Sequence, residues 1–285
     1  MNYTTSKDIE VLLTLLNISI SKLADDLNVA RSTLYRIKEN KVTPNNSFYE
    51  KFYSYAYNNS NRRIDFNKLK IQFAVDQHDK VLFHGARKTI DGEIDLNHSR
   101  EDVDIGKGFY LGEGYEQASS YIFAFKNSSI YIFDVNKLIN LKTKELNVSL
   151  EWMLIVCYYR KQIEEYKNTK IIKQLINDLE QYDVIIAPIA DNNMYDIMTQ
   201  FANGDITDEQ AKSALSASNL GKQHVLKSEK ACKAIKMIDH LYISEPERKD
   251  IEQKRFSDAL LASDKAKLSI NNYRRVGKYI EEILK

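Results

Sequence analysis

The sequence predicts an α+β protein with a small all-α domain at the N-terminus and a larger domain in which strands and helices are mixed. Two observations support this fold class. Apolar residues recur at helical spacing through residues 5–57. Further along, short runs rich in β-branched and aromatic residues alternate with segments of helical pattern. Six of the nine glycines fall within residues 85–114, and because glycine allows the backbone to turn sharply or approach another group closely, this window is the expected functional site.

The composition is that of a folded protein with two domains, since 285 residues exceed the usual size of one small module. Hydrophobic residues make up 43% of the chain, and this content excludes a disordered chain. The net charge of +1 gives no long-range electrostatic attraction for a nucleic acid or a membrane. No apolar run approaches the roughly 18 residues of a membrane span, and the N-terminus lacks the pattern of a secretion signal. Cys157 and Cys232 lack metal-site spacing and are expected to be buried thiols. We therefore expect a cytoplasmic protein with no membrane partner and no metal.

The first helix is predicted from Thr5 or Ser6 at its start and from apolar positions such as Ile9 and Leu12 at helical spacing. Two short helices follow in the segment LADDLNVARSTLYRIKENKVTP, separated by a turn at Asn28. A fourth helix covers FYEKFYSYAY, and the polar run after it indicates a domain boundary near residue 63.

The segment over residues 5–57 resembles the repressor-type helix-turn-helix family, in which the second helix of the motif enters the major groove of DNA. The resemblance implies a DNA-binding domain. Because a single copy of this motif usually binds DNA weakly, we expect a homodimer. Arginine side chains suit guanine edges or phosphates, and short hydroxyl side chains supply further donors. The residues assigned to DNA contact in this way are Arg31, Ser32, Thr33, Tyr35, Arg36 and Lys38. The alternative is a four-helix module that mediates protein contacts.

The larger domain is predicted from strands and helices that follow one another along the chain. The predicted strands cover residues 80–85, 129–135, 182–190, 223–227 and 237–244. The predicted helices cover residues 149–166, 168–180, 194–203, 207–217 and 228–236. The full division is a helix-turn-helix domain over 1–63, a helical linker over 64–77, the larger domain over 78–245 and a helical tail over 246–285.

Three blocks of the larger domain contain the residues suited to chemistry. They are His84-Gly85-Ala86-Arg87, then Gly106-Lys107-Gly108-Phe109-Tyr110-Leu111 with Tyr121 beyond it, and finally Lys222-Gln223-His224-Val225-Leu226-Lys227. Their order and spacing resemble the ADP-ribosyltransferase superfamily, most directly its poly(ADP-ribose) polymerase branch. The stretch from Asp183 to Leu241 is also similar to an uncharacterised bacterial family of that superfamily. The resemblance covers residues 78–244 and implies a split, mostly antiparallel sheet that binds NAD as its substrate.

The resemblance implies NAD-binding roles for His84, Gly85, Arg87, Gly108, Tyr110 and Tyr121. A glycine backbone can clasp the nicotinamide carboxamide where no side chain intrudes, and an imidazole can bond a ribose hydroxyl. By resemblance these roles belong to Gly85 and His84, while Tyr121 would stack on the nicotinamide ring and Tyr110 would wall the pocket. Ala118 stands where the polymerases have a serine, so one contact to the carboxamide is missing.

Gln223 stands where the polymerase branch has its catalytic glutamate, so it brings no negative charge to a cationic transition state. Two interpretations stay open: the domain binds NAD without catalysis, or another carboxylate takes over. The similar bacterial family also tends to have glutamine here, which favours a family trait. Asp191 is the candidate for the replacement acid, and its alternative role is to cap a helix. The predicted catalytic residues are therefore His84, Tyr110, Gln223 and Asp191.

The resemblance implies a mono-ADP-ribosyltransferase, similar to bacterial toxins or phage-defence effectors, which transfers ADP-ribose from NAD to a macromolecular acceptor. The DNA-binding domain would repress the protein's own operon, with an antitoxin encoded beside it as a further partner, or would bring the enzyme to nucleic acid. A first alternative is a transcriptional regulator that senses NAD or ADP-ribose through an inactive transferase fold. A second is a plain repressor whose larger domain only dimerises it.

Overall fold

The computed structural model describes residues 5–90, 92–96, 99–126, 128–190, 192–217 and 221–285. Within these ranges the chain is a mixed α+β protein, as predicted, with thirteen α-helices and a seven-stranded, mostly antiparallel sheet. The helices are α1 (Thr5–Leu16), α2 (Ile20–Asp26), α3 (Arg31–Lys38), α4 (Asn46–Tyr57), α5 (Phe66–Gln77), α6 (Tyr115–Ile122), α7 (Leu150–Tyr159), α8 (Lys170–Leu179), α9 (Asn192–Ala202), α10 (Asp208–Ser216), α11 (Glu229–Ala234), α12 (Glu245–Asn272) and α13 (Ile280–Leu284). The strands are β1 (Val81–Ala86), β2 (Phe109–Gly112), β3 (Ser129–Asp134), β4 (Thr143–Glu145), β5 (Val184–Pro188), β6 (Lys222–Leu226) and β7 (Lys236–Tyr242).

The chain packs as two compact units, each assembled from separate parts of the sequence. Unit 1 comprises Met1–Asp91, Ala118–Asp134 and Met237–Gln253. Unit 2 comprises Gly92–Gln117, Val135–Lys236 and Lys254–Lys285. The domain boundaries drawn from the sequence stay predictions. No helix in the described ranges is both long enough and apolar enough to cross a membrane.

Unit 1 contains the N-terminal helices and the strand order β1-β3-β7. Apolar side chains of α1 to α4 form its core, among them the fully buried Leu12, Leu23 and Phe52. β1 pairs antiparallel with β3. This register places the backbone of Gly85 opposite Ile130.

Unit 2 contains the strand order β4-β5-β6-β2. β6 pairs antiparallel with both β5 and β2, while β4 pairs parallel with β5. The fully buried Trp152 and Phe201 lie in its core. Cys157 and Cys232 are buried free thiols, which confirms that prediction, and burial raises the pKa of Cys157 to about 12.

The five strands predicted for the larger domain are confirmed, with ends shifted by a few residues. The helix predicted over 149–166 is shorter than expected, because Lys161 adopts a left-handed conformation with φ of 59° just after α7 ends at Tyr159. A short 3-10 turn at Glu164–Tyr166 follows it. The sequence did not predict β2 and β4, which have four and three residues.

Candidate functional site

Two short helices of unit 1 present a polar face. α2 begins after Ser19, whose hydroxyl accepts a hydrogen bond from the Lys22 N–H at 3.1 Å. Asn28 then turns the chain with φ of 51°, a left-handed conformation that asparagine adopts more readily than most residues. Leu34 and Ile37 of α3 are buried, so the opposite face of α3 is exposed.

The residues predicted to contact DNA lie along α3. Those exposed are Arg31, Ser32, Thr33, Tyr35 and Arg36, and Lys38 is half-buried. The Arg31 guanidinium lies 3.1 Å from the Asp25 carboxylate of α2, and Lys38 Nζ lies 3.0 Å from Glu10 Oε1 of α1. Ion pairs at a protein surface contribute little to stability, so phosphate groups can compete for Arg31 and for the partly exposed Lys38.

Unit 1 also contains the first predicted block, at the end of β1. His84 is half-buried there. A methyl group placed on Gly85 would lie 2.5 Å from the carbonyl oxygen of Ala118 in α6. The packing of α6 against β1 therefore requires a glycine at this position. The Arg87 guanidinium lies 5.4 Å from the ring centre of Tyr121, so unit 1 brings these two predicted NAD-binding residues together.

The second block lies in unit 2, where Tyr110 is a half-buried residue of β2. Its hydroxyl donates to Gly106 O at 2.6 Å and accepts from the Ile105 N–H at 3.1 Å. Burial raises the pKa of Tyr110 well above its ordinary value. A methyl group on Gly108 would lie 2.5 Å from Val225 Cγ1 of β6. The tyrosine thus fastens the glycine-rich loop, and Gly108 allows that loop to lie against β6.

A lysine fastens the same loop from another position. Lys227 follows β6, and its Nζ donates to Ile105 O at 2.8 Å and to Lys107 O at 2.6 Å. Burial lowers the pKa of Lys227 to about 8. Tyr159 and Lys227 are among the residues that line a cavity of about 1130 Å³ in unit 2.

The third block forms a buried polar network in unit 2. The Gln223 amide nitrogen donates to Asp104 Oδ2 at 2.9 Å and to Pro188 O at 3.1 Å. Asp104 also accepts from Arg160 Nε at 2.8 Å and from the Ala190 N–H at 3.2 Å. Both of these Gln223 hydrogen bonds are donated by the amide nitrogen, and neither uses the amide oxygen.

Asp104 is the residue that sequence reasoning missed. It lies in a polar segment two residues before Gly106, and its partners Arg160 and Gln223 lie 56 and 119 positions away. A signal was present in the segment DVDIGKG, where an isoleucine and two glycines beside an aspartate indicate a loop close to the core. Asp191, the predicted replacement acid, lies outside the described residues.

Gln223 and His224 point to opposite faces of β6, as neighbouring strand residues must. The buried His224 imidazole has its Nε2 3.2 Å from Glu113 Oε1, just beyond the end of β2. In the described part of the chain, no group of three or more His, Cys, Asp or Glu side chains is placed to hold a metal ion.

Comparison with family models places most of the larger domain in one family. Residues 80–237 match the model described as "Protein of unknown function (DUF3990)", which is more than half of the chain. The chain belongs to the DUF3990 family. Residues 4–41 are similar to a second model, the helix-turn-helix domain of resolvase. No curated protein and no solved structure was found to match the chain.

These matches confirm an N-terminal DNA-binding helix-turn-helix domain in this DUF3990 protein, of resolvase type where the sequence suggested a repressor type. The motif residues 20–38 form α2 and α3 within the matched segment. The assignment of the DUF3990 domain to the ADP-ribosyltransferases stays a prediction, and so do its NAD-binding and catalytic residues.

Proposed function

We propose that this DUF3990 protein transfers single ADP-ribose units from NAD to a macromolecular acceptor, and that its helix-turn-helix brings this activity to DNA. The proposal rests on the order of the three blocks along the chain and on their resemblance to the ADP-ribosyltransferases. NAD is the expected substrate and no metal is part of the proposal. The sheet of this chain would then be the split sheet of that superfamily.

One observation supports the proposal above others, the antiparallel pairing of β2 with β6. Tyr110 lies opposite Val225, and Gly112 lies opposite Gln223. Because alternate residues of a strand share a face, Tyr110 and Gln223 are diagonal neighbours on one face of the sheet. Two blocks that are far apart in sequence thus meet, as a single NAD site in this domain requires.

The Gln223 amide is held in one orientation by Asp104 and Pro188. Its carbonyl oxygen can then accept a hydrogen bond from a ribose hydroxyl and fix the sugar. During transfer, the bond between the ribose carbon and the nicotinamide nitrogen breaks and its electron pair leaves with nicotinamide. The acceptor nucleophile bonds to the same carbon and loses its proton. By the resemblance alone, His84 and Gln223 would each bond a ribose hydroxyl, and Tyr121 would stack on the nicotinamide ring.

A second function is favoured by the charge around Gln223. Its neighbour Asp104 is ion-paired with Arg160, so this network brings no net negative charge to a cationic transition state. Without such charge the domain would bind NAD or ADP-ribose and regulate transcription as a sensor. This regulator would bind NAD saturably and release no nicotinamide.

The decisive experiment measures nicotinamide released from NAD by the purified full-length protein, with and without cell extract. If the protein transfers ADP-ribose, nicotinamide release should depend on the extract and should disappear in the His84→Ala variant. A matched control is His78→Ala, which removes a half-exposed histidine of the same unit that pairs with Asp134 at 2.9 Å.

Each outcome separates the candidate functions. Release that persists in His84→Ala would contradict the assigned site. Saturable NAD binding without release would support the sensor, and failure to bind NAD would leave a repressor whose DUF3990 domain has another purpose. Calorimetry with NAD distinguishes the last two results.

A further inference from the structure

An exposed pair of aromatic rings lies at the end of α6 in unit 1. Tyr121 is 56% exposed and Phe125 is 37% exposed. The Arg87 guanidinium lies 4.2 Å from the ring centre of Phe125, closer than to Tyr121. Burial of large aromatic side chains stabilises a folded protein. An exposed pair of rings in contact with an arginine therefore indicates a surface that binds another molecule.

The turn that carries Phe125 is hydrogen-bonded to a buried arginine. Arg248 Nη1 donates to Phe123 O and to Phe125 O, both at 2.7 Å, and to the Ser128 hydroxyl at 3.2 Å. Its Nη2 donates to Lys126 O at 3.3 Å. A buried guanidinium is tolerated only when it is well bonded, and here its bonds converge on one turn. Arg248 therefore bonds the backbone on both sides of Phe125 as well as at Phe125 itself.

Two exposed lysines adjoin this arginine and these rings in the sequence. Lys88 follows Arg87 in the chain and Lys126 follows Phe125, and all of these side chains are exposed. We call Arg87, Lys88, Tyr121, Phe125 and Lys126 the aromatic platform. Rings that alternate with cations are the combination that binds single-stranded nucleic acid, because bases stack on the rings while phosphates meet the cations.

We propose that the aromatic platform binds an unpaired stretch of DNA, with a base stacked on Phe125 and Arg87. DNA is the occupant we favour because the helix-turn-helix lies in the same compact unit, so bound DNA is already concentrated on unit 1. The cationic side chains complement the charge of a phosphate backbone. The inference goes beyond the proposed function, since it needs no reaction of NAD. Tyr121 also has an assigned role toward nicotinamide, whereas Phe125 has none, so Phe125 is the residue to test.

The test uses the full-length protein and a single-stranded oligonucleotide of about twelve nucleotides, a typical site length, with one 2-aminopurine base. Stacking on an aromatic ring quenches 2-aminopurine fluorescence. We expect the wild-type protein to quench the 2-aminopurine fluorescence. The Phe125→Ala variant should bind the oligonucleotide about tenfold more weakly and should not quench the fluorescence. Phe73→Ala is the matched control, because Phe73 is a 69% exposed phenylalanine on α5 of the same unit.

Three results would overturn the proposal: no binding of the oligonucleotide by wild type, quenching that survives in Phe125→Ala, or an equal loss in Phe73→Ala. In the first case a peptide or protein would be the occupant to consider. Binding of duplex DNA through α3 should be the same in both variants, which shows that they are folded. None of these readouts depends on nicotinamide release, so this inference and the proposed function can fail separately.

Discussion

The side-chain amide of Gln223 donates to the Asp104 carboxylate over 2.9 Å, and Asp104 in turn pairs with Arg160. This arrangement explains why a glutamine suits position 223. A glutamate there would set a second carboxylate against Asp104 and against the carbonyl oxygen of Pro188. The buried network is by itself a sufficient reason for an uncharged side chain at this position.

Gln223→Glu should therefore destabilise the protein by about 1–3 kcal/mol near neutral pH. Repulsion from Asp104 would raise the pKa of the new carboxyl, and its protonated form could again donate to Asp104. The loss should accordingly be smaller at about pH 5 than at about pH 7. Urea denaturation at the two pH values measures it.

Gln181→Glu is the control, since Gln181 is exposed after α8 and its replacement adds the same charge. A change within about 0.5 kcal/mol is expected there. Equal effects of the two substitutions would contradict the role given to Asp104.

Gly85→Ala tests whether the packing of α6 requires the glycine of the first block. The added methyl group would lie 2.5 Å from Ala118 O and 3.1 Å from Ile122 Cγ2, so α6 must shift. We expect a loss of about 1–3 kcal/mol, the usual effect of overpacking. Thermal or urea unfolding of the two proteins measures the difference.

Gly114→Ala provides the comparison, because the nearest atom to its added methyl would be Glu116 Oε2 at 3.6 Å, an ordinary contact. It should leave the free energy of unfolding nearly unchanged. If Gly85→Ala also left the free energy of unfolding nearly unchanged, that result would contradict the close packing of α6 against β1.

Local pattern was enough to predict most elements but could not find the polar network. The strand of residues 129–134 is a run of apolar and aromatic residues and needs no distant information. β2 has only four residues, next to glycines that suppress the strand pattern. The partners of Asp104 lie 56 and 119 positions away in the sequence, and sequence periodicity cannot predict contacts over such separations.

The ion pair between Arg31 and Asp25 predicts that Asp25→Asn strengthens DNA binding. The Arg31 guanidinium and Asp25 carboxylate are 3.1 Å apart, and each side chain is 60% exposed. Such a pair is worth about 0.2–1 kcal/mol, so releasing Arg31 to a phosphate should raise affinity up to about fivefold. Fluorescence anisotropy with a duplex selected from random sequences measures this at a fixed salt concentration.

Arg36→Ala is the opposite control on the same helix. Arg36 is exposed on α3, and its loss should weaken binding to that duplex by about 1–3 kcal/mol, which is about fivefold to 150-fold. Weaker binding by Asp25→Asn would mean that Asp25 orients Arg31 for DNA instead of competing with it.

The buried His240 should make the free energy of unfolding depend on pH. Its ring stacks on Tyr131 with centres 4.6 Å apart and planes within 3°. Burial, with the nearby Lys70 charge, lowers the pKa of His240 from 6.5 to about 4. At a pH between about 4 and 6.5, the His240 imidazole is protonated in the unfolded chain and neutral in the folded chain. The free energy of unfolding should therefore fall by about 2–3 kcal/mol as the pH drops from about 6.5 to about 4.

His240→Phe isolates this contribution from the carboxylates that titrate in the same range, because phenylalanine keeps a ring against Tyr131 and has no proton to bind. Its stability should fall less steeply than that of wild type below about pH 6.5 and should run parallel to it above. The measurement is urea denaturation of both proteins across this range. Parallel curves below that pH would show that the imidazole is protonated in the folded protein as readily as in the unfolded chain, which a stacked ring buried beside Lys70 should not permit.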